Sequence, residues 1–152
     1  MLTLNADDIL LDCRAESWRH ALDAAFDTLK AASLVDDGYR QGLVDRESQS
    51  STWLGNGIAI PHGTPESRGA VRRTGVRVLQ FPEGVRWHDG NLVHVLVTIA
   101  AQSDEHLDIL RSLTHVLDRD GVSERLAQAS SAEEITELLA RPVVRPRLDQ
   151  GT

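Results

Sequence analysis

The sequence has very few cysteine and lysine residues, with one of each among its 152 residues. Since a disulfide needs two cysteines, Cys13 cannot form one within the chain, and a lone thiol fits a reducing compartment. We interpret Cys13 as a packing residue rather than a nucleophile. Lys30 is the one lysine, so almost all of the basic charge comes from arginine, a side chain suited to bidentate phosphate contacts.

The sequence also lacks a long hydrophobic run and an excess of basic charge. No apolar stretch approaches the ~20 residues that a membrane-spanning helix needs. The first residues, MLTLNADDILLDC, are acidic where a secretory signal is basic. The formal net charge of −7 argues against duplex nucleic acid or an anionic lipid surface as a partner. We therefore predict a cytoplasmic protein that binds no nucleic acid and does not insert into a membrane.

Several catalytic motifs are missing. The sequence contains no G-x-S-x-G nucleophile elbow and no GxxxxGK[ST] phosphate-binding loop, which argues against a serine hydrolase and a nucleotide kinase. It also has no HxH, HExxH or Cys/His cluster. Two histidines, His62 and His106, with Asp104 or Glu105 could in principle bind zinc, so a metal-dependent hydrolase remains an alternative. We nevertheless expect no metal and no cofactor.

Helical and strand patterns alternate along the chain. Apolar residues at three- and four-residue steps predict a first helix from Glu16 to Leu34. A run that is apolar on both faces, LVHVLVTIAA from Leu92 to Ala101, predicts a central strand covered by helices. Further predicted elements are an extended start (Leu2 to Leu11), a helix in VDDGYRQGLVDRES, a strand in GIAIPHG, a helix start at Thr64-Pro65-Glu66, a strand from Thr74 to Phe81, a turn-rich PEGVRWHDG, and helices in SDEHLDILRSLTHVLD, GVSERLAQA and SSAEEITELLA.

Strands interleaved with helices indicate an α/β fold. We predict a single domain over residues 1–140, with a mixed central β-sheet flanked by helices on both faces. The proline- and arginine-rich residues 141–152 are predicted to form a flexible tail.

The stretch TWLGNGIAIPHGTPES suggests that His62 meets another molecule. Pro61 restricts the backbone before the histidine, and Gly63 leaves its ring uncrowded. The predicted helix start after Gly63 offers N–H groups to an anion, and Thr64 adds a hydroxyl donor. Neutral imidazole can attack phosphorus through one nitrogen while the other keeps its proton. These residues favour a phosphoryl group carried on His62, with Gly63 and Thr64 as phosphate-binding residues.

The remaining histidines differ in their expected roles. His106 opens a helix directly after a strand, so it can share a cleft with His62 if the two strands are neighbours. The others are interpreted as surface, turn or structural residues: His20, His88, His94 and His115.

The run STWLGNGIAIPHGT resembles the phosphorylation-site signature of the enzyme IIA component of the mannitol/fructose class of the bacterial phosphotransferase system. The resemblance continues through LQFPEGVRWHDG, LVTIAAQSDEHLDILRSLTHVLD and ERLAQASSAEEITELLA, and it covers Leu2 to Ala140. The FPEGVRW and SLTHVLD segments are more similar to the mannitol branch than to the nitrogen-regulatory paralogues. A regulatory protein of that second kind is the nearest alternative.

The resemblance implies a phosphotransferase component whose His62 accepts a phosphoryl group from the phosphocarrier protein HPr and passes it to a cysteine of enzyme IIB. The family's phosphorylated atom is Nε2, and its second histidine and its arginine match His106 and Arg46. Asn56 stands where a mannitol enzyme has an acidic residue. We expect a partner-docking surface formed by Trp53, Asn56, Ile58 and Ile60.

Overall fold

The computed structural model describes residues 4–105, 107–109, 111 and 121–140. Five strands form one sheet: β1 (Ile9–Leu10), β2 (Trp53–Gly55), β3 (Ile58–Ala59), β4 (Gly75–Arg86) and β5 (Leu92–Ala100). Their order is β1-β4-β5-β3-β2. The β1–β4 and β3–β5 pairs are parallel, whereas β4–β5 and β2–β3 are antiparallel. The predicted mixed sheet is therefore confirmed.

Helices cover both faces of this sheet, as predicted. Helix α1 (Trp18–Ala31) packs Leu22 and Ala25 against Leu79 and Leu96. On the opposite face, Val78, Val95 and Val97 meet the helices Val122–Gln128 and Ala132–Ala140 through side chains that are fully or almost fully buried, Leu126, Ile135 and Leu139. Strand β5 lies third of five and is buried on both sides, as its continuous apolar run predicts.

Strand β4 is longer than the sequence predicts. The strand does not end at Phe81 but continues to Arg86, so the start of PEGVRWHDG is not a turn. A break in register lies between the pairs Gln80–Val95 and Val85–Val93. Pro82 and Gly84, which is at φ +81°, both lie inside this bulge, where the ladder does not require an N–H. Pro82 and Gly84 thus mark a bulge within β4. Later in the same segment, His88–Gly90 forms a short 3₁₀ turn.

A hairpin precedes the predicted GIAIPHG strand. Strands β2 and β3 are joined by Asn56 and Gly57, at φ 51° and 75°. Two successive left-handed residues form the turn whose twist matches that of the flanking strands, and Asn-Gly is its preferred pair. The strand itself is shorter than predicted, ending at Ala59.

Two other predicted elements change in type or length. The helix that starts at Thr64 is a 3₁₀ helix, Pro65–Ala70, with Thr64 as its N-cap. In the predicted extended start, a 3₁₀ turn at Ala6–Asp8 precedes β1, which has two residues. Residues 105, 107–109 and 111 are helical, as predicted. The predictions for His106, His115 and the tail 141–152 fall outside the described residues.

None of the helices within the described part of the chain combines the length and the apolar character that a membrane span requires.

Helix α2 (Tyr39–Gln49) lies against the 3₁₀ helix with almost no space between them. A Cβ built on Gly42 would lie 2.4 Å from the Cβ of Ser67. This contact requires a glycine even though alanine is the better helix former by about 1 kcal/mol. The close approach brings α2 beside the segment that follows His62.

We predict that Gly42→Ala lowers the free energy of unfolding by about 2 kcal/mol, because the clash outweighs the gain in helix propensity. Urea denaturation followed by tryptophan fluorescence measures the change. Since the clash is with Ser67, the double variant Gly42→Ala/Ser67→Gly should be more stable than the sum of the two single changes by about 1 kcal/mol. If the two changes in the free energy of unfolding simply add in the double variant, the contact between positions 42 and 67 is refuted.

Candidate functional site

His62 lies just after β3, where its ring is half-buried. Its Nδ1 is 2.8 Å from the carbonyl oxygen of Ile60. Because a carbonyl can only accept, Nδ1 must carry the proton in this hydrogen bond, which leaves the lone pair of the neutral ring on Nε2. The backbone two residues upstream therefore selects the tautomer of His62.

The backbone on both sides of His62 is held by hydrogen bonds. Upstream, the Ile60 N–H donates to the Thr52 carbonyl at 3.0 Å, and the Ile99 N–H donates to the Pro61 carbonyl at 2.9 Å. Downstream, the Gly63 N–H donates to the Tyr39 hydroxyl at 2.9 Å. The segment that presents the imidazole is thus anchored to α2, β5 and the chain before β2.

Tyr39 is buried, with 2% of its surface exposed. Its hydroxyl also donates to the Ile99 carbonyl at 2.8 Å. Burial raises the pKa of Tyr39 to about 12, although the bond from Gly63 acts in the opposite direction. The hydroxyl therefore keeps its proton at neutral pH.

The two predicted phosphate-binding residues both make contacts within the protein. The Gly63 amide is engaged by Tyr39, and a Cβ on Gly63 would lie 2.6 Å from the Tyr39 ring. Gly63 is not at positive φ, so the absence of a side chain, rather than a sharp turn, explains this glycine. Thr64 is 5% exposed, and its hydroxyl accepts from the Ser67 N–H at 3.2 Å. The roles of both residues toward phosphate remain predictions.

Arg46 lies in the last turn of α2, as predicted, and is half-buried. Its Nη1 donates to the Ser50 carbonyl at 2.6 Å. This bond fixes the chain that leaves α2 toward Thr52, the residue whose carbonyl holds Ile60.

The neighbouring Glu47 supports the Thr52 segment, a role that its sequence position alone does not reveal. Its carboxylate is buried, with 2% of the residue exposed, and accepts from the Thr52 N–H, the Thr52 hydroxyl and Trp87 Nε1 at 2.6–2.9 Å. His88 Nε2 lies 3.3 Å from the same carboxylate. Glu47 falls on the α2 face of Tyr39 and Leu43, and a charged residue on an apolar helix face was the available signal.

The chain just before residue 106 is tied to Arg68, in the 3₁₀ helix that follows His62, and to Thr74, just before β4. Arg68 Nη2 is 2.8 Å from Asp104 Oδ1, and the Thr74 hydroxyl donates to Glu105 at 2.6 Å. The bond from Thr74 lowers the pKa of Glu105. The two carboxylates of the zinc alternative therefore already have protein partners, and the described residues contain no group of three metal-ligating side chains. His106 lies outside the described residues.

The structure corrects two of the four predicted docking residues. Ile58 and Ile60 belong to the hydrophobic core, at 0% and 3% exposure, since their side chains point into the sheet's packed face. Trp53 lies on the edge strand β2 and is 36% exposed. Asn56 occupies the left-handed hairpin turn, which gives a backbone reason for asparagine at this position.

Other predicted structural residues have clear partners. His94 Nδ1 donates to the Phe81 carbonyl at 3.1 Å, beside the bulge in β4, and His20 is exposed and accepts from the Glu16 N–H. Burial raises the pKa of the Cys13 thiol, which disfavours the nucleophilic thiolate and agrees with a packing role.

A family model, "Phosphoenolpyruvate-dependent sugar phosphotransferase system, EIIA 2", matches residues 2–141. The chain belongs to this family. It is 49% identical over 139 residues to the multiphosphoryl transfer protein of Vibrio cholerae, covering 91% of this chain and 35% of that protein. The chain thus spans about a third of the length of that relative.

Two further similarities extend over nearly whole chains. The mannitol-specific phosphotransferase enzyme IIA component of Staphylococcus aureus is 42% identical over 132 residues, 87% of this chain and 91% of that one. The solved complex of enzyme IIA-Mtl with phosphorylated enzyme IIB-Mtl from Escherichia coli matches with a TM-score of 0.85 and 38% identity. The match covers 91% of this chain and 97% of that one. The nitrogen regulatory protein IIA-Ntr from Neisseria meningitidis is more distant, with a TM-score of 0.73 and 28% identity. That match covers 89% of this chain and 94% of the other.

We predict that Glu47→Leu lowers the free energy of unfolding by about 3 kcal/mol, because it leaves the Thr52 and Trp87 donors buried without an acceptor. Urea denaturation followed by tryptophan fluorescence reports this directly. The exposed Glu66 is the matched control, and Glu66→Gln should stay within about 0.5 kcal/mol of the unsubstituted protein. Equal effects of the two changes would show that the Glu47 contacts contribute nothing to stability.

Proposed function

We propose that this protein relays a phosphoryl group, accepting it on His62 from phospho-HPr and passing it to a cysteine of an enzyme IIB. The observation that carries the proposal is the bond from His62 Nδ1 to the Ile60 carbonyl at 2.8 Å. It assigns the proton to one ring nitrogen and makes the other the nucleophile.

The chemistry follows from that tautomer. The lone pair on Nε2 forms the new N–P bond while the bond between phosphorus and HPr breaks. The phosphorylated ring gains positive charge, which the Ile60 carbonyl stabilises through the Nδ1–H. In the second transfer the cysteine thiolate attacks phosphorus, and the N–P electron pair returns to the ring.

The anchored backbone supplies orientation. The bonds at Ile60, Pro61 and Gly63 hold the ring without any change of structure at the moment of transfer, and such positioning is a large part of phosphoryl-transfer catalysis. No bond is made to the sugar in this step, so the protein needs no sugar site.

Three other residues are proposed to contact the phosphoryl group. Arg46 offsets its charge of about −1.5 to −2, His106 donates a hydrogen bond to its oxygens, and the Thr64 hydroxyl can donate its hydrogen while accepting from Ser67. Because the phosphoryl group must leave again, a small number of such donors suits a carrier better than a tight cage does.

Docking of the partners is proposed to use the surface near Trp53. An exposed indole on an edge strand is the kind of aromatic residue that partner interfaces favour. The solved E. coli relative is in a complex with phosphorylated enzyme IIB, which supports enzyme IIB as one partner. A single cysteine in the chain fits the cytoplasm, where we place the relay.

We propose mannitol or a similar sugar as the transported substrate class. The support is the similarity to the S. aureus mannitol-specific component, at 42% identity. The nitrogen-regulatory alternative has weaker support, since its solved representative is 28% identical.

We predict that incubation with enzyme I, HPr and phosphoenolpyruvate adds one acid-labile, base-stable phosphate, and that His62→Ala abolishes it, because the nucleophilic nitrogen is lost. Intact mass spectrometry at neutral pH measures the added phosphate. His20→Ala is the control: it removes an exposed histidine and should leave the stoichiometry unchanged. A phosphorylated His62→Ala protein would refute the proposed function.

A further inference from the structure

The hydroxyl of Tyr39 connects the two sides of the His62 segment. It accepts from the Gly63 N–H at 2.9 Å and donates to the Ile99 carbonyl at 2.8 Å. The N–H of the same Ile99 donates to the Pro61 carbonyl at 2.9 Å. One residue of β5 therefore holds the chain before His62 directly and the chain after it through Tyr39.

The Gly63 N–H belongs to the peptide unit that also contains the His62 carbonyl. Fixing this amide fixes the rotation about the Cα–C bond of His62, whereas the bond at Pro61 fixes the peptide before it. With both peptide planes set, the direction of the His62 Cα–Cβ bond is set as well, and the bond from Nδ1 to the Ile60 carbonyl then fixes the ring about it. This is the condition under which Nδ1 meets the Ile60 carbonyl and Nε2 points in a constant direction.

The packing around Tyr39 shows that this bond is built into the fold. The tyrosine ring lies so close to Gly63 that a Cβ there would be 2.6 Å from Tyr39 Cε1 and 2.3 Å from Ser67 Oγ. A glycine after His62 is thus what allows the hydroxyl to reach the amide. Tyr39 is 2% exposed; its bond to the Ile99 carbonyl is buried, and the bond from the Gly63 amide is partly buried.

We infer that Tyr39 is a positioning residue for phosphoryl transfer, acting through the Gly63 amide on the orientation of His62. The inference rests on the proposed function of His62 as the phosphoryl carrier. Tyr39 does not touch the reacting atoms. Its hydroxyl removes rotational freedom from the nucleophile before the partner arrives, so its loss should lower kcat rather than raise KM.

Tyr39→Phe tests the inference, because it removes the hydroxyl and keeps the ring. We expect kcat for transfer from phospho-HPr to fall about tenfold, with KM for HPr changed less than about twofold. The matched control is Leu29→Val, which loses packing in the same hydrophobic cluster and keeps both hydrogen bonds. It should lower the melting temperature and leave kcat unchanged.

Three results would overturn the inference. Wild-type kcat in Tyr39→Phe would show that the hydroxyl does not position His62. A rise in KM for HPr with unchanged kcat would show that Tyr39 affects docking of the partner instead. An equal fall of kcat in Leu29→Val would show that lower stability alone accounts for the effect. If the unsubstituted protein is never phosphorylated on His62, the proposed function fails instead, so the two failures are distinguishable.

A second measurement covers a Tyr39→Phe protein that does not fold. Tyr39 is the one tyrosine in the chain, so 3-fluorotyrosine incorporated throughout labels this position alone. Its ¹⁹F resonance should shift when His62 is phosphorylated, because the new charge on His62 polarises the Gly63 amide that donates to the phenol oxygen. An unchanged resonance in the fully phosphorylated protein would contradict the coupling.

Discussion

The hydrogen bond from His62 Nδ1 to the Ile60 carbonyl is the interaction on which the rest of the site depends. An imidazole can serve as a nucleophile through either nitrogen, and only a fixed partner at one of them makes the other the reactive atom. The partner here is a backbone carbonyl two residues away, at 2.8 Å. Its position follows from the sheet, since the Ile60 N–H is bonded to Thr52 and Pro61 is bonded to β5. Tautomer selection is thus a consequence of strand pairing.

Helix α2 holds the chain segments on both sides of His62 in place. Its buried face presents Tyr39, Gly42 and Glu47, which contact the chain after His62, the 3₁₀ helix and the Thr52 segment before β2. Two of these three residues are polar and buried, and each has all its contacts within the protein. Such a network stabilises one arrangement of the site because a displaced strand or loop would leave donors and acceptors unpaired in the interior. The same helix ends with Arg46, so support and charge come from one element.

The sequence predicts the frame of this fold better than its details. A run apolar on both faces identifies β5, and three- and four-residue periodicity identifies α1, because burial imposes those patterns directly. Pro82 and Gly84 predict a turn where the structure has a bulge, because neither residue suits a regular strand and only the break in register with β5 accommodates them. The Asn56–Gly57 hairpin signal was present but missed. In the site, the Pro61–Gly63 motif points to His62, whereas Tyr39 and Glu47 acquire their roles through contacts 24 and 40 residues away along the chain. The helix pattern marks Glu47 as a charged residue on an apolar face, but no local pattern encodes partners as distant as Gly63 for Tyr39 or Trp87 for Glu47.

The most direct test of the central claim is to determine which nitrogen of His62 carries phosphorus. The protein labelled with ¹⁵N-histidine and phosphorylated through HPr can be observed by ¹⁵N and ³¹P NMR. The account predicts coupling of phosphorus to Nε2, with Nδ1 still protonated and hydrogen-bonded to the Ile60 carbonyl. Phosphorus on Nδ1 would contradict it, because the bond that selects the tautomer would then have to break for the reaction to occur.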